Sequence, residues 1–313
     1  MNTFDTIIVG AGPAGLCAAM YAGRGMLSAV TLERGLPGGE LLNTEKIEDY
    51  PGFETVLGPK LAELMTEHAK KFGADIRMEN VEGIHRHDDG FRVATSSGAE
   101  FFAPTVILTA GGTPTKLGVP GEAEYAGRGV SYCAVCDGAF FKGETIAVIG
   151  GGDAAVEEAD YLTRYAAKVY IVHRRNEFRA SRLVQDRALA NPKIEVLWEK
   201  QVLEMVGDPA GLKHLVLEDT RDGSRSDLAV TGCFVFIGFT PNSGLVKEHI
   251  RHDASGYLVT DDRMMTSIPG LFAAGDLRVQ LTRQVTTAVG DATTAAIAVE
   301  KYLTERKSRL AAT

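Results

Sequence analysis

The chain has 313 residues, of which 45% are hydrophobic, and a formal net charge of -8 at pH 7. Its length fits two domains of ordinary size, and its acidic balance argues against broad binding to nucleic acid. Four cysteines are too few for a secreted disulfide framework. No apolar run approaches the roughly 20 residues that span a bilayer, and no basic, cleavable leader opens the sequence. We therefore expect a soluble protein of a reducing compartment.

An internal repeat organises the chain. Thr6 to Val9 and Ile146 to Ile149 are short apolar runs, and each is followed by a glycine-rich turn, a helix-compatible stretch and a second apolar run. This strand–helix–strand order is typical of parallel sheets. It predicts an α/β fold of two Rossmann-like, three-layer ββα domains.

Each copy of the repeat ends in an apolar strand that is stopped by glycine and proline, at Gly111 to Pro114 and at Gly238 to Pro241. Such stops are candidate hinges between domains. The later strand-like stretch from Gly270 to Asp276 has no third nucleotide fingerprint before it, so we expect it to return to the first domain. The second domain would then be inserted in the first. The expected bounds are residues 1–114 and 244–313 for the first domain and 115–243 for the second.

The first glycine turn predicts a dinucleotide site. Gly10 and Gly12 allow a tight turn and the close approach of a pyrophosphate, and Gly15 allows the helix to pack on the strand. The helix N-terminus then points its free N–H groups at the phosphates. Glu33 ends the next predicted strand, where a carboxylate can accept hydrogen bonds from a ribose diol. A glycine-rich turn that binds no nucleotide is the alternative, and the placement of Glu33 disfavours it.

The second glycine turn, at Gly150 and Gly152, is followed by basic residues where the first copy has Glu33. A carboxylate would repel the 2′-phosphate of NADP(H), whereas guanidinium groups bind it. We therefore assign a dinucleotide with a free 2′-hydroxyl to the first site and NADP(H) to the second. A solvated surface run is the alternative, and its position at a strand end disfavours it. The basic residues are His173, Arg174, Arg175 and Arg179.

Cys133 and Cys136 form a Cys-x-x-Cys pair shortly before the second glycine turn. The pair could be a redox dithiol, half of a zinc site or an accident of sequence. Zinc needs further ligands, and Cys17 and Cys233 lie in apolar contexts typical of core residues. A redox dithiol needs a thiolate near neutral pH, and the adjacent Asp137 can donate and accept its proton. We expect a dithiol–disulfide oxidoreductase without a metal.

Together these motifs resemble the bacterial low-molecular-weight thioredoxin reductases, a group of class II pyridine nucleotide-disulfide oxidoreductases, over nearly the whole chain. The resemblance implies FAD in the first domain and NADPH in the second. It also implies that electrons pass from NADPH through FAD and the Cys133–Cys136 disulfide to thioredoxin. The segments that carry it are Gly10–Gly15, Pro37–Glu40, Tyr50–Phe53, Cys133–Gly138, Gly150–Asp153, His173–Arg175 with Arg179, and Phe272–Asp276 with Arg283 and Gln284.

The resemblance also assigns roles within the pair. Cys136 is expected to face the flavin, Cys133 to attack the partner disulfide, and Asp137 to act as the acid–base residue. Family members are homodimers whose domains alternate between two orientations, because one flavin face cannot contact both the nicotinamide and the disulfide. We accordingly expect a cytoplasmic homodimer that binds thioredoxin, with no nucleic-acid or membrane partner.

The resemblance names further positions at both nucleotide sites. Those expected to contact FAD are Gly10, Gly12, Pro13, Ala14, Gly15, Glu33, Arg34, Gly38, Gly39, Glu40, Leu41, Asn43, Asp49, Val81, Ala110, Gly111, Gly275, Asp276, Arg283, Gln284 and Val285. Those expected to contact NADPH are Gly150, Gly152, Asp153, Ala154, His173, Arg174, Arg175, Arg179 and Ile237.

Four positions depart from the family pattern. The family commonly has glutamine in place of Glu40 and asparagine in place of Asp49, and extra carboxylates near a flavin would disfavour its anionic reduced form. Phe239 and Thr282 also stand where the family often has hydrogen-bonding or aromatic residues of other types. These differences concern the flavin contacts rather than the class of reaction.

Three other functions remain open. The acceptor could be another small disulfide protein, of a glutaredoxin-like or peroxidase-linked kind. The chain could be a flavin–NADP enzyme like the ferredoxin–NADP reductases of similar fold, although those lack the cysteine pair. It could also be a sensor that binds nucleotides without turnover, which turnover with NADPH and a disulfide protein would exclude.

Overall fold

The computed structural model describes residues 2–44 and 46–311. The chain divides into two compact units, which comprise residues 1–113 with 240–313, and residues 114–239. Among the described residues, no helix is long and apolar enough to cross a membrane.

The elements follow in chain order. The first stretch of unit 1 contains β1 (Asn2–Thr3), β2 (Thr6–Val9), α1 (Pro13–Arg24), β3 (Ala29–Glu33), a 3₁₀ helix (Gly39–Asn43), β4 (Lys46–Ile47), β5 (Val56–Leu57), α2 (Gly58–Lys71), β6 (Asp75–Met78), β7 (Val81–His87), β8 (Gly90–Thr95), β9 (Glu100–Ala103), β10 (Thr105–Leu108) and β11 (Gly112–Pro114). Unit 2 contains β12 (Val130–Ser131), α3 (Ala134–Asp137), a 3₁₀ helix (Gly138–Phe141), β13 (Thr145–Gly150), α4 (Asp153–Leu162), β14 (Lys168–His173), α5 (Arg182–Ala190), β15 (Ile194–Trp198), β16 (Lys200–Asp208), β17 (Gly211–Asp219), β18 (Arg225–Ala229) and β19 (Gly232–Phe236). The return to unit 1 contains β20 (Phe239–Pro241), which starts at the last residue of unit 2, a 3₁₀ helix (Ser243–Leu245), β21 (Leu271–Ala273) and α6 (Val285–Ala311).

Unit 1 is built on a five-stranded parallel sheet in the order β21-β10-β2-β3-β6. Strands β2 and β10 are buried along their whole length, as expected of a parallel sheet that is covered on both faces. Ile8 and Ile107 pack with helices α1 and α6 on one face. Ile7 and Val106 point to the other face and pack with the sheet β1-β9-β8-β7. The strand alternation therefore produces three layers.

Unit 2 repeats this plan with the parallel sheet β12-β19-β13-β14-β15. Ile146 and Val148 pack with helix α4, whereas Ala147 and Ile149 pack with the antiparallel sheet β16-β17-β18. In unit 1, α1 begins at the carboxyl end of the central strand β2, and in unit 2, α4 begins at the carboxyl end of the central strand β13. That edge of a parallel sheet is where α/β proteins bind nucleotides.

Candidate active site

The predicted dithiol pair is present as a disulfide. Cys133 and Cys136 are joined by an S–S bond of 2.11 Å, with their Cα atoms 5.4 Å apart. Helix α3 begins directly after Cys133, whose Sγ accepts the N–H of Cys136 at 3.1 Å. Cys136 is exposed and Cys133 is half-buried. An amide that donates to a sulfur atom favours the thiolate form of that sulfur once the bond is reduced.

Asp137 is held by Ser131. The Ser131 hydroxyl donates to Oδ2 of Asp137 at 2.7 Å, and its oxygen accepts the N–H of Cys133 at 3.1 Å. Ser131 is buried at the end of β12. It is not among the predicted site residues, because a serine near a cysteine carries no signal of its own. The predicted acid–base residue therefore has a fixed partner beside the disulfide.

Glu122 is a second buried anchor near the pair. Its Oε1 accepts the N–H of Leu117 and the hydroxyl of Tyr132, each at 2.9 Å, and its Oε2 accepts the N–H of Gly118 at 2.6 Å. Burial, and then the hydrogen bond to Glu122, raise the pKa of Tyr132, so its hydroxyl remains a donor at neutral pH. The carboxylate thus ties the residue before Cys133 to the start of unit 2.

Replacing Glu122 by alanine is expected to lower the free energy of unfolding of unit 2 by about 2 kcal/mol, because a buried donor without its acceptor costs about 1–3 kcal/mol. Trp198 is the one tryptophan of the chain and lies in this unit, so its fluorescence can report urea unfolding there. Glu124→Ala, which removes an exposed carboxylate nearby, is the matched control. An equal loss in both variants would contradict the anchoring role of Glu122.

The glycine turn of unit 1 lies at the carboxyl end of β2. Gly10 has a φ of +102°, and a Cβ on it would lie 2.6 Å from the carbonyl oxygen of Thr109. A Cβ on Gly15 would lie 1.8 Å from the carbonyl oxygen of Gly10, so neither position can carry a side chain. Gly12 caps α1 without a side-chain hydrogen bond. The N–H groups of the first helical turn are therefore available to a phosphate.

Glu33 turns back towards this glycine turn from the end of β3. Its Oε2 accepts the N–H of Ala11 at 2.7 Å, and its Oε1 accepts the N–H of Gly35 at 3.1 Å. Each carboxylate oxygen can accept a second hydrogen bond. The predicted ribose-binding carboxylate is therefore fixed in place and can still accept from a diol.

Asp276 follows β21 at the same edge of the sheet. Oδ1 of Asp276 is buried and has no hydrogen-bond partner within residues 2–44 and 46–311. The same holds for Nε2 of Gln280. Burial raises the pKa of Asp276 to about 6, although Arg283 lowers it, and Glu40 and Asp291 raise it further. Buried polar atoms are normally hydrogen-bonded. The Asp276 oxygen at this edge therefore fits a ligand that donates from hydroxyl or N–H groups, as the predicted FAD does.

Without FAD, Asp276 is expected to destabilise the protein as the pH rises. The folded state holds its proton up to about pH 6, whereas the unfolded chain loses it near 3.8, so the contribution to stability is present below about pH 4 and is lost by about pH 6. Asp276→Asn should therefore stabilise the flavin-free protein at pH 7 by at most about 3 kcal/mol. Urea unfolding followed by circular dichroism at pH 4 and pH 7 measures this.

The control for this experiment is Asp262→Asn, which replaces an exposed carboxylate of the same unit. The stability difference between wild type and Asp276→Asn should be larger at pH 7 than at pH 4. A difference that is equal at the two pH values would mean that Asp276 does not hold its proton in the folded, flavin-free protein.

Most other predicted FAD positions lie at this edge or in the segments that follow its strands. Asp49 is the exception, because it is exposed between β4 and β5 and its side chain makes no hydrogen bond to the described residues of this edge. The positions beside strand ends are Arg34, Val81, Ala110, Gly111 and Gly275, those in or next to the first 3₁₀ helix are Gly38, Gly39, Glu40, Leu41 and Asn43, and those at helix starts are Pro13, Ala14, Gln284 and Val285.

Two residues that are not among the predictions shape the same edge. Asp291 on α6 accepts the N–H of Gly275 at 3.2 Å and forms an ion pair with Arg278 at 3.1 Å. The ring of Tyr257 lies under the guanidinium of Arg283, with 3.9 Å between Cζ and the ring centre. Both contacts join segments that are far apart in sequence, so no local pattern could have predicted them.

The glycine turn of unit 2 has the same construction at the end of β13. Gly152 begins α4 without a side-chain cap, and a Cβ on it would meet no atom within 4 Å. Oδ1 of Asp153 accepts the N–H of Ser181 at 2.7 Å, and the carbonyl oxygen of Gly151 accepts the N–H of Arg179 at 2.7 Å. The basic segment is therefore fixed beside the turn. Of the other predicted positions, Gly150 ends β13, Ala154 lies in the first turn of α4, and Ile237 follows β19.

The predicted basic residues divide into two groups. Arg174, Arg175 and Arg179 are exposed beyond the end of β14, and none of them forms an ion pair with another described residue. His173 is buried, and a Cβ on Gly151 would lie 2.3 Å from its ring. Burial, and to a smaller extent the three arginines, lower the pKa of His173, so its ring is neutral at pH 7. The arginines are thus available to an anion, and His173 supports the turn.

The two remaining cysteines do not take part in this chemistry. Cys17 and Cys233 are buried, and burial raises the pKa of both thiols, which disfavours the reactive thiolate. In the part of the chain that the structure describes, no group of three or more His, Cys, Asp or Glu side chains could hold a metal ion.

Two glycine turns with open helix N-termini, one disulfide and one exposed arginine group define a nucleotide-dependent disulfide oxidoreductase. A family model described as pyridine nucleotide-disulphide oxidoreductase matches residues 4–292. A thioredoxin reductase of Bacillus subtilis is 47% identical over 98% of this chain and 97% of its own length. One from Listeria innocua is 45% identical over 99% and 97%.

The chain is also similar to solved structures of thioredoxin reductases. The thioredoxin reductase of Lactococcus lactis is 44% identical, covers 96% of this chain and 99% of its own, and superposes with a TM-score of 0.94. The T. acidophilum thioredoxin reductase is 34% identical, covers 96% of this chain and 99% of its own, and superposes with a TM-score of 0.91. The chain therefore belongs to the pyridine nucleotide-disulphide oxidoreductase family.

Several predictions from the sequence are confirmed by these findings. The fold class is that of the solved relatives, with two Rossmann-like domains. Thioredoxin reductases of this family bind FAD and NADPH, and the matched domain is a flavin- and NAD(P)-binding one, so the two predicted cofactors are confirmed. The predicted enzyme class, a flavoprotein disulfide oxidoreductase, is confirmed as well. The individual contact residues remain predictions.

Proposed function

We propose that the protein is an NADPH-dependent thioredoxin-disulfide reductase. The observation that carries this proposal is the Cys133–Cys136 disulfide, which shares a unit with the second glycine turn and the exposed arginines. FAD is assigned to the unit of residues 1–113 and 240–313, and NADPH to the unit of residues 114–239. The chain crosses between the units after residues 113 and 239, where the sequence predicts 114 and 243.

FAD would bind at the strand ends of unit 1. The N–H groups that begin α1 would hold its pyrophosphate, Glu33 would accept from a ribose, and Oδ1 of Asp276 would accept from the ribityl chain or the ring. Bound FAD would relay two electrons between NADPH and a disulfide. The carboxylate of Glu40 acts on Asp276, which supports a position for Glu40 beside the same ligand.

NADPH would bind at the corresponding edge of unit 2. The first turn of α4 would hold its pyrophosphate, and the 2′-phosphate would lie between the guanidinium groups of Arg174, Arg175 and Arg179. The buried ring of His173 would keep the glycine turn and the start of the arginine segment in register. A rotation at the two chain crossings would let the nicotinamide and the disulfide reach the flavin in turn.

The dithiol would reduce its partner by two successive exchanges. The Cys133 thiolate would attack one sulfur of the partner disulfide, and the displaced partner sulfur would take up a proton. Cys136 would then attack Sγ of Cys133, which re-forms the original disulfide and releases the second partner sulfur. Asp137 would pass the protons between these thiols. In total, one NADPH and one proton reduce one disulfide to a dithiol and leave NADP⁺.

The assignment of thioredoxin as the partner is supported by the names of the relatives, which are thioredoxin reductases at 45–47% identity over nearly their full length. The resemblance to the low-molecular-weight thioredoxin reductases implies a homodimer, and we propose that the protein is a homodimer that works in the cytoplasm. A glutaredoxin-like or peroxidase-linked acceptor would use the same dithiol chemistry, so the choice of partner has to be measured.

A covalent trap tests both the partner and the roles of the cysteines. Cys136→Ser protein is mixed with a thioredoxin whose second active-site cysteine is replaced and whose first carries thionitrobenzoate as a mixed disulfide. Cys133 is expected to displace the thionitrobenzoate and form a disulfide-linked complex. Peptide mapping by mass spectrometry identifies the linkage. The same trap with a glutaredoxin is the parallel arm, and Cys133→Ser protein is the control. A complex that forms equally well with Cys133→Ser protein would contradict the proposed roles, and preference for the glutaredoxin would contradict the partner.

A further inference from the structure

Ser131 links the sheet of unit 2 to the backbone of Cys133 and to the side chain of Asp137. Strand β12 pairs with β19 through Val130↔Cys233 and Ser131↔Phe234, so the backbone of Ser131 is fixed by the sheet of unit 2. Its side chain is 4% exposed and points into the turn that carries the disulfide. The hydroxyl therefore joins a rigid strand to the backbone of Cys133 and to the carboxylate of Asp137.

The hydroxyl of Ser131 has two acceptors for its one hydrogen. Oδ2 of Asp137 lies at 2.7 Å and the carbonyl oxygen of Cys133 at 3.2 Å. The shorter and charge-assisted bond prevails while Asp137 is ionised. Once the carboxyl carries a proton, the hydroxyl can turn its hydrogen to the carbonyl oxygen and accept from the acid with a free lone pair. Ser131 can thus hold Asp137 in both protonation states.

We propose that Ser131 is the positioning residue that holds the Asp137 carboxyl for proton transfer with the thiols of the Cys133–Cys136 pair. The inference rests on the proposed function. When two electrons that NADPH supplies break the S–S bond, one sulfur is left as a thiolate, and the other becomes a thiol by taking a proton from the Asp137 acid. The carboxylate regains that proton when the thiol is next deprotonated. A carboxyl that swings freely on its own side chain would do this less efficiently.

Ser131→Ala is expected to lower the rate of NADPH-dependent thioredoxin reduction about tenfold, since the lost bond is to a charged group. Reduction of ferricyanide, which takes electrons from the flavin directly, should be unchanged because it bypasses the dithiol. Ser131→Thr keeps the hydroxyl and should restore most of the rate. Ser226→Ala, an exposed serine of the same unit, is the matched control. Ser131→Gly, which also removes the hydroxyl, replaces the alanine variant if that variant does not fold.

A double-mutant cycle separates positioning from a purely structural role. If Ser131 acts through Asp137, then Ser131→Ala should lower the rate by less than about twofold in an Asp137→Asn background. A full tenfold effect in that background would overturn the inference, as would a wild-type rate for Ser131→Ala. A different result would contradict the proposed function: Cys133→Ser protein would reduce thioredoxin at the wild-type rate.

Discussion

Replacing Cys133 or Cys136 by serine is expected to lower the rate of NADPH-dependent thioredoxin reduction by roughly a thousandfold or more, the scale of losing a catalytic nucleophile. Serine cannot form the disulfide that receives the electron pair. The other two cysteines, Cys17 and Cys233, are buried with raised thiol pKa values, so neither can replace the missing sulfur. The loss of NADPH absorbance in the presence of thioredoxin and a thiol reporter measures the rate.

Two controls test whether the loss of activity is specific to the dithiol. Ferricyanide reduction should survive in both serine variants, because that path ends at the flavin. Cys233→Ala removes a buried sulfur of the same unit and should leave thioredoxin reduction intact. If either serine variant reduced thioredoxin at the wild-type rate, electrons would be leaving the protein by a route other than this disulfide.

Replacing Arg174 and Arg175 by alanine is expected to raise the KM for NADPH by about tenfold or more for each residue, with little effect on the KM for NADH. A hydrogen bond to a charged group contributes about 1.5–3 kcal/mol, and only NADPH carries the 2′-phosphate. Both arginines are exposed at the carboxyl end of β14, next to the glycine turn of unit 2. Initial rates of ferricyanide reduction with either nucleotide measure the effect without involving the dithiol.

Arg225→Ala is the matched control for these variants, because Arg225 is exposed in the same unit on β18. The ratio of kcat/KM for NADPH to kcat/KM for NADH should fall in the Arg174 and Arg175 variants and stay constant in the Arg225 variant. Equal losses for NADPH and NADH would show that the arginines stabilise the site generally rather than bind the 2′-phosphate.

The layered fold was predictable because its signals are local. The apolar runs at Thr6–Val9 and Ile146–Ile149, each before a glycine turn, predict β2 and β13, and both strands are buried on two faces. The repeat of the pattern predicts two similar sheets. The register of each sheet and the points at which the chain crosses between units depend on packing between distant segments. The domain bounds therefore remain a prediction.

The residues of the site that belong to short sequence motifs could be predicted. The Cys133–Cys136 disulfide, the helix that starts after Gly12 and the carboxylate of Glu33 all lie where the motifs place them. His173 is different, because its place in a basic motif suggests a phosphate ligand, whereas its ring is buried against Gly151. A sequence pattern reports residue types but not the direction in which a side chain points.

The supporting residues were not predictable for a related reason. Ser131 and Glu122 act through hydrogen bonds to backbone groups and to the side chains of Asp137 and Tyr132. These bonds leave no spacing in the sequence that could be recognised. The contact between Asp291 and Gly275 joins a helix to a strand end and depends on the packing of unit 1. Such residues become visible only when the distances between atoms are known.

The most direct test is to ask whether NADPH reduces this one disulfide. The holoenzyme is treated with excess NADPH without oxygen, alkylated under denaturing conditions and mapped by mass spectrometry, with a parallel sample that lacks NADPH. We predict that Cys133 and Cys136 are alkylated only after NADPH, and that Cys17 and Cys233 are alkylated equally in both samples. A Cys133–Cys136 disulfide that stays closed while the same preparation reduces thioredoxin would contradict the account.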